Sequence, residues 1–128
     1  MALDQRKGSS VGTITMYGIA NCDTVKKAKH WFEKRQIPYV FHDYKKSGID
    51  KEQLELWVLE QGWEPLLNKR GTTFRELPDV LKKDMDADKA ITLMHAHPSM
   101  IKRPLVTDGD TVLIGYDSTG YEKMTGID

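Results

Sequence analysis

Strand, helix, strand is the order in which the first structured segment of this chain reads, and no other feature restricts its fold as much. Thr13–Tyr17 alternates β-branched or aromatic residues with others, the pattern of a short strand. Thr24–Arg35 sets Ala28, Trp31 and Phe32, with Val25, on one face at helical spacing, and lysines on the other. Gln36-Ile37-Pro38 ends that helix. Tyr39–Tyr44 is a second strand of similar length. A strand, a helix and a strand within about thirty residues form a βαβ unit, which implies a parallel pair joined by a right-handed crossover. The fold class is therefore α/β.

The rest of the chain must complete that unit. Asp50 suits a helix N-cap, and Gln53 three residues on completes a capping-box pattern. Ile49, Leu54, Trp57 and Val58 then give helical spacing as far as Gln61, and Gly62 closes it. Trp63–Glu76 reads as a helical turn followed by a loop. A short helix is expected over Leu77–Lys83, with Pro78 in its first turn. Another is expected over Asp88–Ala96, stopped by Pro98. The period then changes. Leu105–Thr107 and Thr111–Gly115 flank Asp108-Gly109-Asp110, the signature of a hairpin around a tight Asp-Gly turn. A last short helix runs through Tyr121–Met124. Helices therefore lie between a βαβ half and a hairpin half, in one domain over residues 13–128. Residues 1–12 are polar, lack the apolar middle of a secretory signal, and read as a disordered leader or a cloning remnant.

Charge removes two function classes. Lysines plus arginines number 19, as do aspartates plus glutamates, so the formal net charge is +0. That balance makes no case for direct binding to nucleic acid or to an acidic membrane surface. No apolar run approaches a membrane span. One cysteine cannot form an internal disulfide, so a reducing cytoplasm is the expected setting.

That cysteine, Cys22, follows the polar turn Gly18-Ile19-Ala20-Asn21 and stands at the mouth of the first helix. A helix start carries N–H groups without intrahelical partners and the positive end of the helix dipole. Both favour the thiolate, the reactive form of a thiol. A buried structural cysteine would instead sit within an apolar run. The position three residues on, where a dithiol motif has its second cysteine, is Val25. A redox cycle at Cys22 therefore needs an external resolving thiol, and glutathione is the abundant small candidate.

The Thr24 hydroxyl either bonds the thiolate or caps the helix. Asp23 opposes the thiolate unless it caps or meets the positive helix end. Lys26 and Lys27 read as a solvated face or as thiolate partners. Arg103-Pro104 precedes the hairpin. The proline is either an edge feature or a cis residue. The Arg103 guanidinium is either a surface charge or a fork for an anion such as a glutathione carboxylate. Lys102, Arg70 and Arg75 share that ambiguity. His30, His42, His95 and His97 show no zinc spacing and read as ordinary polar residues, so no metal is expected.

Three motifs in order carry a resemblance. They are Tyr17–Thr24 followed by a basic helix, Leu66–Thr72, and Ile101–Val106. Together they resemble the ArsC/Spx family, which includes glutaredoxin-linked arsenate reductases and Spx-type transcription regulators, and most of all its YffB-type branch. The likeness runs from Thr13 to Met124. It implies a thioredoxin-like fold with a helical insertion after the second strand. It also implies a catalytic thiol at Cys22, a site arginine at Arg103 and a cis proline at Pro104. Thr24, Arg70 and Pro104 become candidate substrate contacts. An arginine of the reductases falls around Asn68, while Arg70 stands two residues later.

Two departures bear on function. The reductases carry a further arginine after the second hairpin strand, where this chain has Leu113-Ile114-Gly115-Tyr116. Spx-type switches use two cysteines, and Val25 removes the second. The expected activity is a glutathione-linked monothiol oxidoreductase with no bound cofactor. Glutathione or a glutaredoxin would be its partner, and a small molecule or protein thiol its substrate. The alternatives are an Spx-like regulator that binds RNA polymerase and a glutaredoxin-coupled arsenate reductase.

Overall fold

The structure, a computed structural model, describes residues 13–127. The proposed leader over residues 1–12 lies outside the described residues. The elements are β1 (Thr15–Gly18), α1 (Asp23–Lys34), β2 (Val40–Asp43), α2 (Tyr44–Ser47), α3 (Lys51–Gln61), α4 (Thr72–Arg75), α5 (Asp79–Lys82), α6 (Ala87–Ala96), a 3-10 turn (Pro98–Met100), β3 (Leu105–Thr107), β4 (Val112–Ile114) and α7 (Ser118–Thr125). Among the described residues the strands form one sheet in the order β2-β1-β3-β4. The backbone divides into two compact units, one of residues 13–42 and 103–127, the other of residues 43–102.

In the first unit β1 alternates, with Met16 and Gly18 buried and Thr15 and Tyr17 half-buried. Met16 pairs with Val106, and Val106 with Leu113, along a ladder antiparallel at both junctions. This row joins one apolar cluster with Val25, Ala28, Trp31 and Phe32 of α1 and with Tyr121 and Met124 of α7. The α1 stripe is the one its spacing predicts. Three rings form the centre of the cluster. Phe32 stands edge-on to Trp31 at 5.0 Å, and Tyr121 lies 5.3 Å from Trp31 and 5.0 Å from Phe32. Such offset and edge-on arrangements match the negative face of one ring to the positive edge of another. Arg35 closes α1 by folding its guanidinium over Trp31, 4.1 Å from the ring centroid, while donating to the Trp31 carbonyl at 3.1 Å.

The hairpin forms where its sequence predicts, with a wider loop. Thr107 pairs with Val112, so residues 108–111 lie between the strands rather than 108–110. The Asp108 carboxylate explains the loop. It accepts from the N–H groups of Asp110 at 3.0 Å and Thr111 at 2.9 Å. α7 begins earlier than expected, at Ser118, because the Asp117 carboxylate caps it by accepting from Gly120 N–H at 2.9 Å.

The second unit is the helical insertion between β2 and β3. α3 packs against α6, and α2, α4 and α6 each meet the 3-10 turn. Leu54, Trp57, Leu66, Leu67, Met94, Met100 and Ile101 are buried there. Leu67 bridges Ile101, flanked by Asn68 N–H to the Met100 carbonyl at 2.7 Å and Lys102 N–H to the Leu66 carbonyl at 2.8 Å. Three local expectations change. Asp50 is the N-cap of α3, yet its side chain makes no cap bond, so the capping box is not closed. Tyr44, expected as the end of the second strand, instead opens a helical turn through Ser47, begun by Asp43 accepting from Lys45 N–H at 2.8 Å. Thr72–Arg75 is helical within the stretch expected as loop.

Candidate functional site

The site is assembled by strand register. Tyr17 stands opposite Leu105, and Leu105 opposite Ile114. Gly18, Pro104 and Gly115 therefore continue these strands beyond the same end of the sheet. The Gly115 N–H donates to the Pro104 carbonyl at 2.8 Å and ties the two loops there. From Gly18 the chain turns through residues 19–21 into Cys22. Cys22, Arg103 and Pro104 are thus brought to one end of one sheet, although 81 positions separate the numbers of the first two in the chain.

Cys22 is the N-cap of α1, with φ −145 and ψ 121, and its side chain makes no cap hydrogen bond. Its carbonyl accepts from Lys26 N–H at 3.0 Å, the first bond of the helix. Cys22 is half-buried and outside any disulfide, packed on the edge of the apolar cluster. The first-turn N–H groups that follow have no intrahelical acceptor. Gly18 permits this approach of helix and strand. A Cβ there would lie 2.8 Å from Cγ2 of Val25.

Thr24 is the second residue of α1 and is exposed. It is not the N-cap, so the capping role considered for it falls to the position of Cys22. Asp23 is in the first turn, where the helix dipole favours a carboxylate. Pro104 is buried and Arg103 half-buried, and the peptide bond between them is cis. Arg70 belongs to the second unit. It is exposed in a turn in which its N–H donates to Oδ1 of Asn68 at 3.1 Å. Asn68, where the reductases place an arginine, serves that turn and the bridge beside it. Of the histidines, His42 lies tilted by 41° against Tyr17, with 4.8 Å between ring centroids. Among the described residues no group of three or more His, Cys, Asp or Glu side chains could hold a metal ion. No described helix is long and apolar enough to cross a membrane.

Sequence reasoning passed over Tyr116. Its ring packs against the same cluster as Cys22, edge-on to Tyr121 at 5.7 Å, and carries the Lys27 ammonium 4.4 Å above its centroid. The available signal was its place directly after Gly115, where an arginine is missing. Gly115 itself has φ +82, and a Cβ added there would meet nothing within 4 Å.

A thiol at the helix start after the first strand, at the sheet end where a loop enters the third strand through a cis proline, defines a thioredoxin-like protein with a helical insertion. The chain belongs to the ArsC family, whose sequence profile matches residues 17–124. An uncharacterized protein of Haemophilus influenzae is 39% identical over 109 residues, 85% of this chain and 96% of that protein. The solved YffB protein is 48% identical with a TM-score of 0.85, covering 88% of this chain and 98% of its own. An arsenate reductase (ArsC) related protein from Brucella melitensis is 46% identical with a TM-score of 0.71, covering 92% and 97%. The global transcriptional regulator Spx of Streptococcus pneumoniae is 26% identical over 106 residues, 81% of this chain and 79% of that protein.

Proposed function

We propose that this protein is a monothiol oxidoreductase in which Cys22 is the nucleophile and glutathione the resolving thiol. The observation that carries this reading is the half-exposed Cys22 thiol at the N-cap of α1, at the sheet end shared with Arg103 and Pro104. The Cys22 thiolate attacks one sulfur of an oxidised substrate, a disulfide between a substrate thiol and glutathione. A bond forms between Cys22 Sγ and the glutathione sulfur. The substrate sulfur leaves with the bonding electron pair and takes up a proton. A second glutathione thiolate then attacks the mixed disulfide, Cys22 leaves as thiolate, and oxidised glutathione is released. The chain's own groups have simple tasks in this scheme. The N-cap position presents Cys22 at the open start of α1, and the Arg103 guanidinium holds an anionic group of the incoming molecule. Thr24 and Pro104 are the proposed substrate contacts, within an ArsC-type domain of residues 13–128 working in a reducing cytoplasm.

A glutaredoxin can replace the second glutathione in the same chemistry. Arsenate is the weaker substrate candidate, since Gly115 stands where the reductases carry a further arginine. The likeness to Spx supports a second reading, a regulator that binds RNA polymerase with Cys22 silent. Intact-mass measurement after exposure to oxidised glutathione separates these readings. A single glutathionyl adduct that Cys22→Ser abolishes and that added glutathione reverses supports the oxidoreductase. Absence of any adduct sinks it and leaves the regulator.

A further inference from the structure

The loop end that lacks the reductases' arginine has a cation from another element. Lys27 lies early in α1, and its ammonium sits 4.4 Å over the Tyr116 ring centroid. Tyr116 follows Gly115, whose N–H holds the Pro104 carbonyl. Its ring is anchored edge-on against buried Tyr121, and Tyr121 in turn donates to the Gly115 carbonyl at 3.1 Å. Tyr116 and Cys22 border the same apolar cluster. An ammonium over an aromatic face is held by the ring quadrupole while keeping most of its own hydrogen-bonding capacity for a ligand. The nearby carboxylates leave that role open. Asp117 caps α7 through Gly120 N–H. Asp23, one turn before Lys27 on the same helix face, is exposed in the first turn, where its charge meets the helix dipole.

We propose that Lys27, seated on Tyr116, is the specificity-determining cation that reads a carboxylate of the thiol resolving Cys22. The ligand class is a small peptide thiol bearing carboxylates, in preference to a neutral thiol. This rests on the oxidoreductase reading and adds selectivity to its second step. In that step the resolving thiolate bonds to the sulfur attached to Cys22, the bond to Cys22 breaks, and Cys22 leaves with the electron pair as thiolate. The resolving thiol is oxidised to a disulfide as the mixed disulfide is reduced. Lys27 takes no part in the electron transfer and acts by orienting the incoming anion.

The test starts from Cys22 carried as its mixed disulfide with 2-mercaptoethanol. Its resolution rate is measured with glutathione, with the diethyl ester of glutathione and with 2-mercaptoethanol. Lys27→Gln is expected to slow glutathione about two- to fivefold more than either thiol without a carboxylate, the range of a solvent-accessible charge pair. Tyr116→Leu should reduce the same preference, Lys27→Arg should retain it, and added salt should compress it in the unaltered protein. Equal slowing of all three thiols, or no change in their ratio, overturns the proposal while leaving the oxidoreductase reading intact. A Cys22 that forms no mixed disulfide with any thiol overturns both.

Discussion

Tyr17 stands directly opposite Leu105 in the antiparallel ladder of β1 and β3. That single pairing sets the geometry of the site. One residue beyond it on each strand lie Gly18, which leads to the thiol, and Pro104, which carries Arg103. A slip of one residue would turn Met16 and Val106 out of the apolar cluster, so the burial of the core holds the two loops at the same end.

Arg103→Ala should leave the fold intact and slow the Cys22 reaction with glutathionylated substrates. A charge-assisted hydrogen bond contributes roughly 1.5–3 kcal/mol, about tenfold or more in kcat/KM. Steady-state kinetics alongside circular dichroism checks both parts. Unchanged kinetics would remove Arg103 from the site.

Gly18→Ala should destabilise the protein by about 1–3 kcal/mol, the usual cost of overpacking. The added methyl meets Cγ2 of Val25 at 2.8 Å, and Val25 is fully buried and stiff at χ1. Denaturant unfolding measures the loss. Because α1 must shift to relieve the clash, the alkylation rate of Cys22 should change as well. Wild-type stability would show that strand and helix are not held as closely as described.

Gly115→Arg probes the missing cation. The backbone φ of +82 makes any side chain there cost roughly 1–2 kcal/mol, but a Cβ meets no neighbour within 4 Å. The variant should fold, with a lower Tm, and reduce arsenate about tenfold faster than the wild type in a glutaredoxin-coupled assay, one charge-assisted bond being gained. No increase would mean that arsenate turnover is limited elsewhere.

Tyr121→Phe tests the alkaline limit of stability. Burial, with the charge of Asp117 adding to it, raises the Tyr121 hydroxyl well above its ordinary value of 10.0. Above that value the unfolded chain releases this proton while the folded protein keeps it, so stability falls as pH rises. At neutral pH the substitution should cost about 0.5–1.5 kcal/mol through loss of the bond to the Gly115 carbonyl. Above pH 10 the cost should shrink and the decline of Tm should become shallower than in the wild type. Parallel Tm curves for the two proteins across that range would exclude Tyr121 as a source of the decline.

Much of this was legible in the chain because local patterns carried it. Helical spacing of Val25, Ala28, Trp31 and Phe32 marked the buried face of α1, and the turn before Cys22 placed the thiol at the mouth of that helix, while the cap itself is Cys22 rather than Thr24. Boundaries were less legible where one carboxylate decides them. Asp117 starts α7 earlier than its apolar residues suggest, and Asp108 widens the hairpin loop. Asp50 shows the converse, a capping pattern whose side-chain bond is not made.

The sequence by itself determined most of the elements and the single cysteine, which excludes an internal disulfide. These follow from short-range spacing and from the count of one cysteine. Only the tertiary structure decided that Pro104 and Gly115 close on the same sheet end as Cys22, and that Lys27 rests on Tyr116. Strand register and ring packing join residues far apart in the chain. Burial of Met16, Val106 and Leu113 on one face selects that register, and no local spacing encodes it.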